Sequence, residues 1–271
     1  MKNKKLIGLL IVLAFITVLV VLNSTLFTLQ SISVNWLTTK CELETLKDYT
    51  MVDSIEKGES IFLVKKDKIV ENLEKKYSYL RVVSIETKFP NKIVIHSAER
   101  ESMFAIKISD NDYAIVDELG KVLNRVGKDN ENIKSSELEA KPIKIILNES
   151  ISPENYEVGS IIKDESVVGI IGRVSKSLRE SNYIPTTSKG VFVSLEVTKK
   201  GQNVELFFKT RSGISLVIED AFDNMTEMLL LGLERYNYFH QQGVTSGAVI
   251  VWQNNESKIF ARFDENFIKE I

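Results

Sequence analysis

Cysteine is nearly missing from the 271 residues: Cys41 stands alone, so no disulfide can close within the chain and the fold must be held by its core. That single thiol reads as a small hydrophobe on a helix, or else as an intermolecular or reactive thiol. Histidine is almost as scarce, with only His96 and His240, and together with one cysteine these make no metal-ligand set of usual spacing. Surface positions account for both, His96 on the exposed face of a strand and His240 at a helix end. Neither has a partner in context that would make it the base of a nucleophilic site. Proline and glycine are few, at 4 and 13, and no low-complexity tract is present. Positive charge is not in excess, because the net charge is −2, which argues against the basic stripe of a nucleic-acid binder. There is no Walker A loop, no Gly-x-Gly-x-x-Gly and no Gly-x-Ser-x-Gly. Gly169-Ile170-Ile171-Gly172 has the spacing of a KH loop but sits in a helical stretch without basic surroundings. Glu99/Glu101 and Asp110/Asp112 read as solvated carboxylates, although sequence alone does not exclude a glycosidase pair. No catalytic, cofactor-binding or metal-binding residue is assigned, and the chain reads as no enzyme.

What the chain does have is an uncharged run from Leu6 to Leu22, preceded by Lys2, Lys4 and Lys5. A membrane-crossing helix needs roughly 17–25 apolar residues. The run meets the lower limit, and Asn23–Leu29 can extend it. The lysines keep the short N-terminus cytoplasmic under the positive-inside rule. The expectation is a cytoplasmic tail at 1–5, a single transmembrane helix at 6–28, and everything after it outside the cytoplasm. A cleaved signal peptide fits less well. The apolar core is longer than such peptides carry, and Asn23-Ser24-Thr25-Leu26 is a poor cleavage site. No cysteine near the end of the run suggests a lipoprotein.

Periodicity divides the remainder. Leu29–Trp36 alternates as a strand, Cys41–Tyr49 is a short helical stretch, and Gly58 marks a turn. Lys66–Tyr77 repeats Ile69, Leu73 and Tyr77 every fourth residue, as an amphipathic helix does. Leu80–Phe89 alternates Val83, Ile85, Thr87 and Phe89 against Ser84, Glu86 and Lys88. After Pro90-Asn91, Lys92–Ser97 alternates again, which predicts a hairpin. Strand, helix, helix, strand, strand make one small α+β unit over 29–101. The segment 102–271 is expected to be a mixed, mostly antiparallel β domain with helices. Its strands are read at Met103–Ile108, Tyr113–Val116, Lys121–Asn124, Ile143–Leu147, Val191–Val197, Val204–Phe208 and Ile214–Ile218. Its helices are read at Glu165–Glu180, with Asp164 as N-cap, and at Asp223–Gln241. Ala248–Trp252 and Lys258–Phe263 close it as an edge hairpin, while Gly127–Lys141 is the nearest thing to a linker.

Several of these stretches carry an ordered set of motifs. Phe27 to Val34 is a first strand after an anchor, and Gly58-Glu59-Ser60-Ile61-Phe62 is a Gly-x-Asn-hydrophobic-Phe element with Ser60 in place of Asn. Leu80 to Pro90 ends in an aromatic plus Pro, and Ile93-Val94-Ile95 is followed by Glu99-Arg100. Tyr113 to Leu123 fits a hydrophobic-Asp-x-x-Gly-x-hydrophobic hairpin. In this order, on a single-span chain, the set resembles the FtsQ/DivIB family of bacterial cell-division proteins, and the unit over 29–101 resembles its POTRA domain. Trp36 stands where the family commonly has Gly, and Ser78 and Ser102 where it commonly has Pro, which marks a diverged member.

The resemblance implies a non-enzymatic membrane scaffold at the division septum. It implies binding to the small bitopic coiled-coil proteins of the FtsB/DivIC and FtsL types, and regulation of septal peptidoglycan synthesis. It points to the C-terminal end of the second domain as the partner site. On the last strand Ile259, Ala261 and Phe263 share one face, while Phe260 and Arg262 share the other. These five residues with Trp252 are the candidate contacts, at a strand edge another chain can extend. Glu99 and Arg100 are candidates for fixing the domain junction or for recruitment, against a reading as solvated strand-end charges. Rival readings are a membrane-anchored cell-wall enzyme and a sporulation or secretion assembly factor with a POTRA-like module.

Overall fold

The uncharged run forms a helix, α1 (Lys2–Thr25), in a computed structural model that describes residues 2–37, 58–110, 112–127, 142–183, 190–201, 203–221 and 224–268. Side chains along α1 are described from Ile7 to Val21, and every one is exposed. Among the described residues no helix is long and apolar enough to cross a membrane. The chain divides into two compact units, Met1–Arg100 and Glu101–Ile271.

In the first unit, β1 (Ser31–Trp36), α2 (Lys66–Lys76), β2 (Leu80–Lys88) and β3 (Lys92–Glu99) follow α1. The sheet order is β1-β3-β2, with β1 parallel and β2 antiparallel to β3. Ile69 and Leu73 lie one helical turn apart, so both reach the sheet, where they pack with Leu29, Leu80, Ile93 and Ile95. Asp67 in the first turn of α2 and Lys75 and Lys76 in the last suit the helix dipole. The helix expected over Cys41–Tyr49, Cys41 itself, and the segment after Gly127 lie outside the described residues.

The strict alternation expected for Leu80–Phe89 is broken. A bulge between Val82 and Ser84 inserts one residue, so Leu80 and Val82 face the core while Val83 turns out, 52% exposed. Beyond the bulge the phase resumes with Ile85 inward. Phe89, expected on the buried face, ends past the strand and is 62% exposed.

The second unit is one sheet in the order β12-β11-β10-β9-β8-β7-β4-β5-β6. Its strands are β4 (Phe104–Ser109), β5 (Asp112–Val116), β6 (Val122–Gly127), β7 (Ile143–Leu147), β8 (Phe192–Lys200), β9 (Asn203–Thr210), β10 (Ser215–Ala221), β11 (Ala248–Gln253) and β12 (Ile259–Asp264). Neighbours are antiparallel except for three pairs: β4 with β7, β7 with β8, and β10 with β11. The latter two require crossovers, and each is made by a helix: α3 (Glu165–Glu180) carries the chain from β7 to β8, and α4 (Met225–Gln241) from β10 to β11. The Asp164 carboxylate accepts from the Ser166 and Val167 amides and starts α3, as its sequence position predicts.

Both helices lie on one face of the sheet. Val167, Ile171, Val174 and Leu178 of α3, and Met228, Leu229, Leu233 and Tyr236 of α4, join Ile106, Val116, Leu195, Phe208, Leu216 and Val249 in a single core. Gly232 lets α4 approach closely: a Cβ there would lie 2.6 Å from Leu216 Cδ1 and 3.2 Å from both Ile218 Cδ1 and Val251 Cγ2. Among the described residues the opposite face of the sheet carries two small clusters, Ala105, Ile115 and Val126 with Tyr113, and Val217, Ala248 and Ile250 with Phe207, Trp252 and Phe267.

Candidate partner-binding surface

The β11–β12 hairpin closes around Asn254, whose side chain accepts from the Glu256 and Lys258 amides. Register then sets Trp252 opposite Phe260, Val251 opposite Ala261, Ile250 opposite Arg262 and Val249 opposite Phe263. Because side chains alternate along a strand, this splits β12 into two faces. Ile259, Ala261 and Phe263 pack on the core under the helices, and Phe263 stacks on Phe239 of α4 with centroids 4.2 Å apart.

Phe260 and Arg262 point to the face opposite the described helices, and both are exposed. Trp252 joins them, half-buried. Its indole stacks on Phe260 at 5.8 Å, and the Arg262 guanidinium lies 5.9 Å from its ring centroid. Two further aromatics lie on this bare face, unassigned by the sequence reading: Phe207 of β9 and Phe267 after β12, stacked at 6.2 Å. The continuous apolar run Leu206-Phe207-Phe208 hides that Phe207 alone faces away from the core. Phe267 lies beyond the last alternating segment, so no periodic signal marks it.

Among the described strands β12 is outermost, with β11 as its one neighbour in the sheet. Its other edge therefore presents backbone groups that a further strand can pair with. Arg262, exposed, and Asp264, half-buried, give this edge charge of both signs, which discourages indiscriminate pairing. The six candidate residues are thus brought together in one hairpin, split between two roles. Ile259, Ala261 and Phe263 hold the strand down, while Trp252, Phe260 and Arg262 form its open face.

Glu99 and Arg100 lie elsewhere, at the end of β3. Glu99 is half-buried and stands opposite Leu80 in the ladder. Arg100 turns into its own unit: its Nη2 donates to Glu74 Oε2 at 2.7 Å, and its Nε donates to the Leu80 carbonyl at 3.1 Å. The other Glu74 oxygen accepts from the Val82 amide at 2.9 Å. The side chains of Arg100 and Glu74 are 8% and 15% exposed. The pair ties α2 to the start of β2 beside the bulge, an internal role outside both expectations for Arg100, the domain-junction or recruitment residue and the solvated charge.

Comparisons with known proteins extend this geometry. Residues 43–100 match the domain family described as POTRA domain, FtsQ-type. A protein named Cell division protein DivIB from Clostridium botulinum, strain Hall, is 31% identical over 196 residues, covering 72% of this chain and 68% of its own. A second Cell division protein DivIB, from the Loch Maree strain, is 30% identical over 167 residues, covering 62% of this chain and 59% of its own.

Proposed function

This chain belongs to the FtsQ/DivIB family of bacterial cell-division proteins, and we propose that it serves division as a non-enzymatic scaffold anchored by α1. The anchor reading rests on the uncharged run Leu6–Leu22 behind three lysines, and on the exposure of every described α1 side chain. Such a surface is costly in water and at rest in hydrocarbon. In this reading the N-terminus is cytoplasmic and both units lie outside the cytoplasm at the septum.

Confinement to the membrane plane raises the effective concentration of other single-span proteins around the second unit. There the β12 edge takes up a segment of a bitopic coiled-coil partner of the FtsB/DivIC type, itself associated with an FtsL-type protein. The first unit assists septal recruitment, and the whole assembly regulates septal peptidoglycan synthesis. The observation that carries this reading is the outer edge of β12, with Phe260 41% exposed on the face opposite the helices.

The test is co-purification of tagged full-length protein from cross-linked dividing cells, beside a chain ending at Trp252. Small coiled-coil division proteins should come down with the full chain and be lost from a truncated chain that still folds. Equal recovery from both would remove the hairpin from the interface. Recovery of secretion components in their place would redirect the reading to surface assembly.

A further inference from the structure

A second apolar surface lies where α1 gives way to the sheet of the first unit. Phe27 follows Thr25, the last residue of α1, by two positions, within about 7 Å of chain. Its ring lies 5.1 Å from that of Phe62 and 6.5 Å from that of Phe89, and Phe62 and Phe89 are 5.5 Å apart. These three come from segments far apart in sequence, and hydrogen bonds hold them in place. The Ile61 amide donates to the Phe27 carbonyl at 2.7 Å, and the Leu29 amide to the Glu59 carbonyl at 2.8 Å. The Gln30 amide donates to the Asn91 carbonyl at 2.9 Å, and the Asn91 side chain donates back to Gln30 Oε1 at 2.9 Å.

The rings are not core. Phe62 is 61% exposed and Phe89 62%, and they are flanked by Leu63 at 71% and Leu26 at 48%. The core of this unit, around Leu73 and Ile95, does not include them. A fold that needs none of these side chains nonetheless gathers them at the point where an apolar helix emerges.

We propose that this patch of Leu26, Phe27, Phe62, Leu63 and Phe89 is a membrane-interface foot, seating the first unit in the boundary between lipid headgroups and acyl chains. The inference rests on the anchor reading of α1. The bilayer's polar region adds roughly 5–7 Å on each side of the hydrocarbon, about the distance over which the patch follows the helix. Apolar bodies of aromatic and leucine side chains favour that zone, and long amphipathic cations reach from it to water. Lys65 and Lys88, both exposed, stand next to the patch in sequence. With Lys66 and Lys92 these cations stand against Glu59, Asp67 and Glu86, all exposed, and Lys88 pairs with Glu86 at 2.5 Å, so little net charge remains and the foot takes a neutral bilayer. Its consequence is orientation: a unit held at two points, helix and foot, cannot swivel freely about the anchor.

The experiment uses the full chain in neutral phosphatidylcholine vesicles. Cys41→Ala removes the native thiol, and an environment-sensitive fluorophore is placed in turn on Leu63→Cys, on Leu13→Cys in α1 and on Lys176→Cys in α3. The label at 63 should be quenched at least about twofold by a headgroup-region lipid quencher and be shielded from aqueous iodide. The label at 13 should respond to a deep-chain quencher, and the label at 176 to iodide alone. Adding Phe62→Asp with Phe89→Asp, at positions already exposed, should return the label at 63 to water. If position 63 is iodide-accessible while position 13 is lipid-quenched, the foot is overturned and the anchor stands. If position 63 is shielded from both quenchers, protein rather than lipid covers the patch and the lipid assignment fails. If neither 13 nor 63 meets lipid, anchor and foot fall together, whereas lipid quenching at 63 alone leaves a foot without an anchor.

Discussion

The indole of Trp252 lies on the ring of Phe260 across the β11–β12 ladder, with planes 22° from parallel. Each ring props the other on the face opposite the described helices, so the more exposed of the two is held ready rather than left to rotate. Phe260→Asp is expected to weaken binding of the bitopic partner by tenfold to a hundredfold, on the order of a hot-spot aromatic at an interface, without loss of the fold. Phe263→Asp, on the other face of the same strand, should unfold the hairpin. Affinity measured with the purified partner pair, beside circular dichroism, separates the two. Unchanged affinity in a folded Phe260→Asp protein would remove this strand from the interface.

Arg100→Met takes the cation away from a carboxylate that is 15% exposed. The loss should be about 3 kcal/mol, because a charge left behind in a buried site costs more than the pair gains. Amide hydrogen exchange at Val82, which donates to Glu74, should rise sharply. The double variant Glu74→Gln/Arg100→Met is expected to recover part of the stability. Equal stability of all three in denaturant titrations would show that the pair is incidental.

Gly232→Ala adds one methyl where Leu216, Ile218 and Val251 already meet α4. Alanine favours an isolated helix by about 1 kcal/mol over glycine. Here overpacking, typically about 1–3 kcal/mol, is expected to win, because Leu216 and Ile218, whose terminal methyls a Cβ would meet, are fully buried. Gly232→Val should cost more than Gly232→Ala. Thermal melts of both variants check the order, and a stabilised Gly232→Ala would mean that the core gives way more easily than this packing implies.

Alkaline pH should destabilise the second unit through two phenols. Burial, with a smaller contribution from Asp164, pushes the Tyr156 pKa up from 10.0 to about 12. Burial, then Tyr236, does the same for Tyr183, to about 12, against a hydrogen bond to Asn237 that acts the other way. The unfolded chain releases these protons near 10 while the folded chain keeps them, so stability is complete below pH 10 and falls as pH rises toward 12. The Tyr156 hydroxyl is buried with no hydrogen-bond partner among the described residues. Tyr156→Phe is therefore expected to leave stability at pH 7 unchanged or raise it by up to about 1 kcal/mol, and to flatten the alkaline decline. Urea titrations across pH 8 to 12 test both, and a large loss at neutral pH would reveal a hidden partner for the hydroxyl.

Local elements were legible wherever one periodicity ran undisturbed. Ile69 and Leu73 marked α2, Asp164 announced the start of α3, and the alternation of Ile93 and Ile95 placed β3 correctly on its core face. The reading of β2 fails at Val83 because a bulge adds a residue that no pattern of polar and apolar positions announces, and at Phe89 because the strand ends one residue earlier, at Lys88. Of the candidate surface, the two faces of β12 were legible from alternation. Phe207 and Phe267, which share its open side, were not, since their proximity depends on how β9 is placed relative to the C-terminal turn.

Near neighbours in the chain dictate the uncharged run of α1, the stripe of each amphipathic helix, and the separation of Phe260 from Ile259 and Ala261. These follow from backbone geometry within one turn or one pleat. Tertiary structure alone decided that β7 lies between β4 and β8, that β10 and β11 run parallel beneath α4, and that β12 is left at the rim with one face bare. It also decided that Phe27, Phe62 and Phe89 meet beside the end of α1, and that Arg100 turns inward to Glu74. The physical reason is common to all of these. Strand order and ring contacts are chosen by the burial of surfaces tens of residues apart, and their free energy is a property of the assembled sheet rather than of any segment within it.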